Sequence, residues 1–505
     1  MHPADHAVRH PQKAAIVLAT SGEQISFAAL DAQSNASAWQ LRALGLTRGD
    51  VVATVFVNAP EVFVFGWAAQ RSGLYQTAIS NKLSARDIAY ILRDCGAKLL
   101  VVSPAYAELA LAALAEAPDV PAYCWTGARE GLADWSAAVA ARPTTPIPDE
   151  SAGTDLLYSS GTTGRPKGVK GALPTGPIGA DTPLTRMGSG LYGMGADSIY
   201  LSTSPLYHAA PLRWAMAVQQ LGGTVIVMER FDAEEVLRLI ERYRVTQATF
   251  VPTHFVRMLK LPEAVRRRYD LSSLRAVVHA AAPCPVPVKR AMIEWLGPIV
   301  HEYYSGTESC GITALSSEEW LRKPGSVGRA VLGNIHIVDD AGVELPPGET
   351  GNVFFGDGPR FEYLNDPVKT AEAHNAAGWA TLGDIGHVDA DGYLFLSDRK
   401  SFMIISGGVN VYPQEIENLL VTHPAVADVA VIGVPCEEMG ESVLAIVQPA
   451  ATVRADDALA EELRGFARRE LGGVKTPKRV VFQAELPREP TGKLLKRVLR
   501  EHYCR

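Results

Sequence analysis

The chain has 505 residues, 47% of them hydrophobic, and carries 48 Lys+Arg against 55 Asp+Glu for a net charge of −7. This length and apolar content support two or three domains with sizeable cores, and they exclude a polar disordered chain and a general polycation for nucleic acid. The six cysteines (Cys95, Cys124, Cys284, Cys310, Cys436 and Cys504) lack Cys-x-x-Cys spacing, so neither a zinc cage nor a disulfide framework is expected, and a reducing, cytoplasmic setting fits best.

The stretch from Met1 to Lys13 mixes His, Asp, Arg and Pro and does not read as a signal peptide. Ser26 is positioned to cap a helix whose Leu30, Ser34, Ala38 and Leu41 share one face, with Gly45 as its stop. Val51 to Val57 then reads as an apolar strand, and Asn58-Ala59-Pro60 opens a further helix. The rhythm returns at Leu99–Val102, at Thr224–Met228 with a helix from Asp232 to Tyr243, and at Thr246–Val251. It returns again at Ala276–Val278 with a helix around Lys289–Trp295. Strands apolar on both faces and joined by helices predict an α/β fold with largely parallel sheets flanked by helices, and ligands at the carboxyl ends of strands.

The Pro- and Gly-rich stretch Ala172–Gly195 reads as a mobile loop. From Ser326 short strands such as Asn334–Val338 and Asn352–Phe355 predict a β-rich subdomain. Beyond Arg399, Val429–Val434, Val443–Val447, a helix near Asp456–Glu470 and Arg479–Phe482 form a small α+β set. The expected division is 1–400 and 401–505. No apolar run approaches the ~20 residues of a membrane span.

The most informative stretch runs from Tyr158 to Lys170. It sets the hydroxyls of Ser159, Ser160, Thr162 and Thr163 among Gly161, Gly164 and Gly168, with Lys167 and Lys170 following. Glycines free the backbone to turn, and hydroxyls, N–H groups and ammonium groups can face phosphate oxygens, so the pattern predicts a phosphate cradle. It is not the GxxxxGK[ST] loop, because Arg165 and Pro166 separate Gly164 from Lys167 and no Ser or Thr follows. The plainer reading of such a cluster is a polar surface turn, which its length and order disfavour.

This stretch resembles the signature loop of the AMP-forming acyl-CoA synthetases, the acyl-adenylate-forming enzymes, and further matches follow in the family's order. His279 to Pro283 is similar to the segment bordering adenine, through Ala281, Ala282 and Pro283. Glu302 to Glu308 is similar to the motif in which an aromatic stacks on the base and a Thr-Glu pair serves phosphate and magnesium, here Tyr303, Tyr304, Ser305, Thr307 and Glu308. Thr381 to Asp384 matches the motif whose Asp grips the ribose, Asp398-Arg399 the Arg before the hinge, and Pro490 to Lys493 the motif with the catalytic Lys. The resemblance implies ATP, Mg²⁺ (at Thr162 and Glu308) and coenzyme A, with catalytic roles for Lys493, Thr162, Glu308 and His208. It also implies a C-terminal lobe that turns near Ser401 to bring Gly407 and Gly408 to the thiol.

The residue chemistry agrees. A flat base needs a flat partner such as Tyr304, and a carboxylate such as Glu308 suits Mg²⁺. Asp384 can accept from vicinal hydroxyls, although it could merely cap a turn, and Lys493 outside its motif would be a solvated charge. Lys496, Arg497 and Arg500 read as an exposed helix face, with coenzyme A phosphates as the alternative. The chain departs from the family pattern at Lys400-Ser401-Phe402 and at Phe361 to Pro367, which replaces a Gly-Tyr opening.

Leu212, Trp214, Phe250, Phe255, Gly311 and Ile312 suggest a hydrophobic acid, while Arg213 and Arg257 leave a second carboxylate open. The expected function is an ATP- and CoA-dependent carboxylate–CoA ligase acting on a fatty or aromatic acid. The alternatives are loading of a carrier-protein thiol and a catalytically silent nucleotide-binding protein. A homodimer is left open.

Overall fold

The side chain of Ser26 accepts the Ala29 N–H and the helix Phe27–Ala43 follows, burying Leu30, Ser34, Ala38 and Leu41 as their spacing predicts. Gly45, at φ +80°, lies just past its end. The strand Val51–Val55 buries nearly all of its residues because parallel neighbours flank it, Tyr75–Ala78 on one side and Ala97–Val102 on the other. This computed structural model describes residues 1–159, 166–451, 453–488 and 494–504.

The chain divides into two units, one of Met1–Phe250, Leu261–Val278 and Arg360–Thr370, the other of Val251–Lys260, His279–Pro359 and Ala371–Arg505. In the first, one sheet runs in the order Phe361–Tyr363, Lys167–Gly171, Thr154–Ser159, Tyr75–Ala78, Val51–Val55, Ala97–Val102, Ala122–Cys124, Ala133–Asp134. It is parallel except at its first three strands, which pair antiparallel. A second set places Ala14–Leu18, Thr224–Val227, Ile199–Ser202 and Gln247–Phe250 in parallel. The α/β architecture expected from the alternation is present.

The second unit carries an antiparallel run in the order Val300–Tyr304, Ile312–Leu315, Ser326–Leu332, Leu394–Arg399, Ala380–Val388, Gly351–Gly356, Asn334–Val338. Its C-terminal part packs Ile416, Leu420, Val431, Val447 and Leu463 around the paired strands Val426–Cys436 and Gly440–Pro449.

One expectation changes. The stretch 172–195 is not a loop throughout: it contains the helix Pro183–Tyr192, started by a Thr182 capping box and ended by Gly193 at φ +59°. Pro183 and Gly193 sit at the helix ends, where they punctuate rather than forbid, Gly188 and Gly190 are carried within it, and Met187 and Tyr192 are buried. The departing segment Phe361–Tyr363 is a strand paired with Lys167–Gly171.

Candidate functional site

Three predicted residues of the second unit meet. Tyr304 ends the strand Val300–Tyr304, and Asp384 and Arg399 are direct partners across the antiparallel pair Ala380–Val388 and Leu394–Arg399. The Tyr304 hydroxyl donates to Asp384 Oδ2, while Arg399 Nε lies 3.4 Å from Asp384 Oδ1. Burial pushes the Asp384 carboxyl up, against the pull of Arg399, and pushes the Tyr304 phenol well above its usual range, so the phenol keeps its proton as a donor at neutral pH. One hydrogen bond and one cation leave lone pairs of Asp384 for further donors. Tyr303, one residue earlier, is buried on the opposite face of the strand.

The strand Ala276–His279 ends in small residues: Ala281 is exposed at φ +73°, Ala282 is half-buried and Pro283 exposed. His279 is fully buried, 3.4 Å from Glu302 Oε2, which also binds Lys289 Nζ at 2.6 Å. Burial, reinforced by Lys289, depresses the His279 basicity well below the usual imidazole range.

The turn after Tyr304 is tight. A Cβ on Gly306 would stand 2.6 Å from both Glu308 Oε2 and Leu382 Cδ2, so a larger residue there would displace the ends of both side chains. Ser305 Oγ donates to the Gly311 carbonyl at 2.8 Å, and a Cβ on Gly311 would fall 2.0 Å from the Phe355 ring, which is itself 6.1 Å from the Tyr304 ring. Thr307 and Glu308 are half-buried in this turn. Among the described residues no three metal-ligating side chains cluster. A single half-buried carboxylate such as Glu308 is nevertheless the donor set that fits Mg²⁺, which binds through one or two carboxylates plus substrate phosphates.

In the first unit, Ser159 and Lys167 are register partners on the last described rung of a hairpin. Ser160, Gly161, Thr162, Thr163 and Gly164 lie outside the described residues, as does Lys493. The Lys167 ammonium sits 5.2 Å from the Tyr363 ring centroid. His208 occupies the N-cap position of the helix Ala209–Gln220, half-buried, its ring 4.5 Å from that of Tyr207. Leu212, Trp214 and Phe250, and in the second unit Phe255 and Ile312, are buried core residues. Arg213 is held by Asp155 through two 2.7 Å hydrogen bonds, so its guanidinium already has a carboxylate partner within the protein.

Gly407 and Gly408 form the two-residue turn between Ile404–Ser406 and Val409–Val411, both at positive φ (58° and 78°) and both exposed. Ser401 lies in the short 3₁₀ turn Lys400–Phe402, with its carbonyl 3.4 Å from Arg500 Nη1. Lys496 is not on an exposed face: it is buried and paired with Glu417 at 2.8 Å, whereas Arg497 is exposed and pairs with Glu501 along its helix.

Sequence reading missed Asn58 and Asp94. Asn58 donates to the carbonyls of Ser204 and Met228 and accepts the Leu206 N–H, pinning the segment that leads to His208. Asp94 accepts hydrogen bonds from Tyr158 and Asn365. A helix-opening Asn and a helix-end Asp carry no local signal of such distant partners.

Residues 4–359 match the family model of the AMP-binding enzyme, and residues 415–493 that of the AMP-binding enzyme C-terminal domain. The chain belongs to the AMP-binding enzyme family. It is a ligase of the acyl-CoA synthetase group, as the motifs led one to expect. This ligase is 34% identical over 499 residues to the long-chain-fatty-acid–CoA ligase FadD13 of Mycobacterium tuberculosis, covering 98% of this chain and 96% of the relative. It is 32% identical over 518 residues to the indoleacetate–CoA ligase of Aromatoleum aromaticum, covering 100% and 96%. The ATP-bound structure of MatB from Rhodopseudomonas palustris superposes with a TM-score of 0.83 at 28% identity, covering 100% of this chain and 99% of that one. No helix of the described residues is long and apolar enough to cross a membrane.

Proposed function

We propose that this ligase activates a hydrophobic carboxylic acid, fatty or aromatic, with ATP and passes the acyl group to coenzyme A. The observation that carries the reading is the Tyr304–Asp384–Arg399 cluster: a flat ring at a strand end, a buried carboxylate with free acceptor positions and a cation beside it. In this reading Tyr304 stacks on adenine, beside the small residues Ala281, Ala282 and Pro283, and Asp384 accepts from the ribose hydroxyls. Arg399, Thr307 and the hydroxyl-rich turn with Lys167 hold phosphate oxygens. Glu308, with Thr162, would hold Mg²⁺, which when bound neutralises charge on the pyrophosphate that leaves.

The acid's carboxylate attacks the α-phosphorus, pyrophosphate departs, and Lys493 offsets charge at the reacting oxygens. Residues 401–505 then act as a movable part, pivoting near Ser401 and withdrawing Lys493. The Gly407-Gly408 turn, bare of side chains, lets the pantetheine arm run along backbone. The thiol attacks the acyl carbonyl and AMP leaves. The fatty and aromatic relatives and the apolar residues around Leu212 and Trp214 support the hydrophobic acid, and His208 serves as a wall of that acid's binding region.

The test is a panel of fatty, aromatic, steroid-like and dicarboxylic acids scored by pyrophosphate release with and without coenzyme A. A fatty or aromatic acid is expected to give CoA-dependent turnover. A dicarboxylic optimum, or pyrophosphate release that coenzyme A never carries on to thioester, would overturn the assignment.

A further inference from the structure

The segment that departs from the family pattern, Phe361 to Asn365, grips the strand Lys167–Gly171 from one side. Its strand pairs Glu362 with Lys170 and Tyr363 with Val169, and the Leu364 N–H donates to the Gly168 carbonyl at 2.8 Å. The Tyr363 ring lies under the Lys167 ammonium, and Glu362 stands 3.4 Å from Lys170 Nζ. On the other side, Tyr158 of the facing strand donates to Asp94 Oδ2, and Asn365 donates to the Asp94 carbonyl at 2.7 Å and to Oδ1 at 3.3 Å. Asp94 therefore ties together the two strands that flank Lys167–Gly171. Between them Gly168 has no room for a side chain: a Cβ would stand 2.9 Å from the Tyr158 ring and 3.2 Å from Leu364 Cβ.

We infer that Tyr363, Asn365 and Asp94 form a clamp that fixes Ser159 and Lys167, the register partners on either side of the hydroxyl-rich stretch, and so positions the Lys167 ammonium for phosphate. This rests on the reading of the turn as a phosphate site. The three are positioning residues: they act through Lys167 and the hairpin register. Burial and the neighbouring Asp94 raise the Tyr158 phenol, which remains a donor across the working pH range. A cation over an aromatic face is attracted by the ring quadrupole, so the ring of Tyr363 contributes directly to holding Lys167. Asn365 sits at φ +55°, so Asn365→Gly removes the amide donors while keeping the backbone conformation accessible.

The clamp is tested by titrating full-length enzyme calorimetrically with Mg-ATP and, by competition, with adenosine, which carries no phosphate. Tyr363→Leu and Asn365→Gly are each expected to weaken ATP about five- to twentyfold while adenosine stays within about twofold. Unchanged ATP affinity in both Tyr363→Leu and Asn365→Gly, or a parallel loss of adenosine, overturns the clamp. Should Tyr363→Leu fail to fold, Asn365→Gly decides the matter alone. A wild-type enzyme that binds no ATP overturns the phosphate-site reading itself, a result distinct from either.

Discussion

Around Asp384 the chain buries polar groups against one another, whereas between His208 and Met216 it buries apolar ones. Tyr304, Asp384 and Arg399 are fixed by strand register and by directional bonds, which tolerate few other residues. Leu212 and Trp214 are fixed by volume, which many side-chain combinations satisfy. A nucleotide presents a fixed set of donors and acceptors, so the groups that meet it must be of set kinds at set places. A hydrocarbon tail presents only shape. In the proposed reading the nucleotide is therefore matched at the polar region and the acid at the apolar one.

The sharpest way to break that contrast is to remove charge on the nucleotide side. Lys493→Ala is expected to slow adenylate formation about a thousandfold, the range for losing a group aimed at developing charge. Thioester formation from supplied acyl-AMP should stay near wild type, and equal loss of both half-reactions would remove Lys493 from the first step. Asp384→Asn comes next. It keeps the side-chain volume but removes the charge-assisted bonds, so the KM for ATP should rise about thirtyfold with the KM for the acid unchanged. If both constants rise together, the two regions are not separable in the way their construction suggests.

How much of this was legible in the sequence follows the same division. The helix capped by Ser26 and the one-sided apolar helix after Asp232 were readable, because a cap and a stripe are local signals. Strands such as Asn334–Val338 and Arg479–Phe482 coincide with their apolar patterns. Asp384 and Arg399 were named separately, and only the antiparallel register revealed that they face each other. The helix Pro183–Tyr192 was hidden by the Pro and Gly at its ends and by Gly188 and Gly190 within it. Lys496 was hidden by its tail of cations, since nothing nearby in sequence announces Glu417, 79 positions earlier. The tie of Arg213 to Asp155 was equally out of reach, because long-range ion pairs leave no periodic trace.

On the apolar side the expected effects shrink. His208→Ala should raise the KM for the acid about fivefold and leave that for ATP within twofold, because a half-buried wall residue contributes contact area rather than charge. A matching rise for ATP would place His208 with the nucleotide instead.

The smallest effect is a stability change with pH. Burial lowers the pKa of His254 to about 3 and that of His279 well below 6.5, with Arg257 and Lys289 adding to it. Both are depressed bases, so between the unfolded value near 6.5 and the folded value the unfolded chain binds the extra proton. The contribution of these histidines is therefore level above about pH 6.5 and falls below it, by about 1.4 kcal/mol per pH unit for each. The falling Tm between pH 6.5 and 5 should be shallower in His279→Asn, by roughly one proton's slope. An unchanged slope would mean that the imbalance is not there, and that Glu302, 3.4 Å from the ring, already holds His279 protonated beside Lys289.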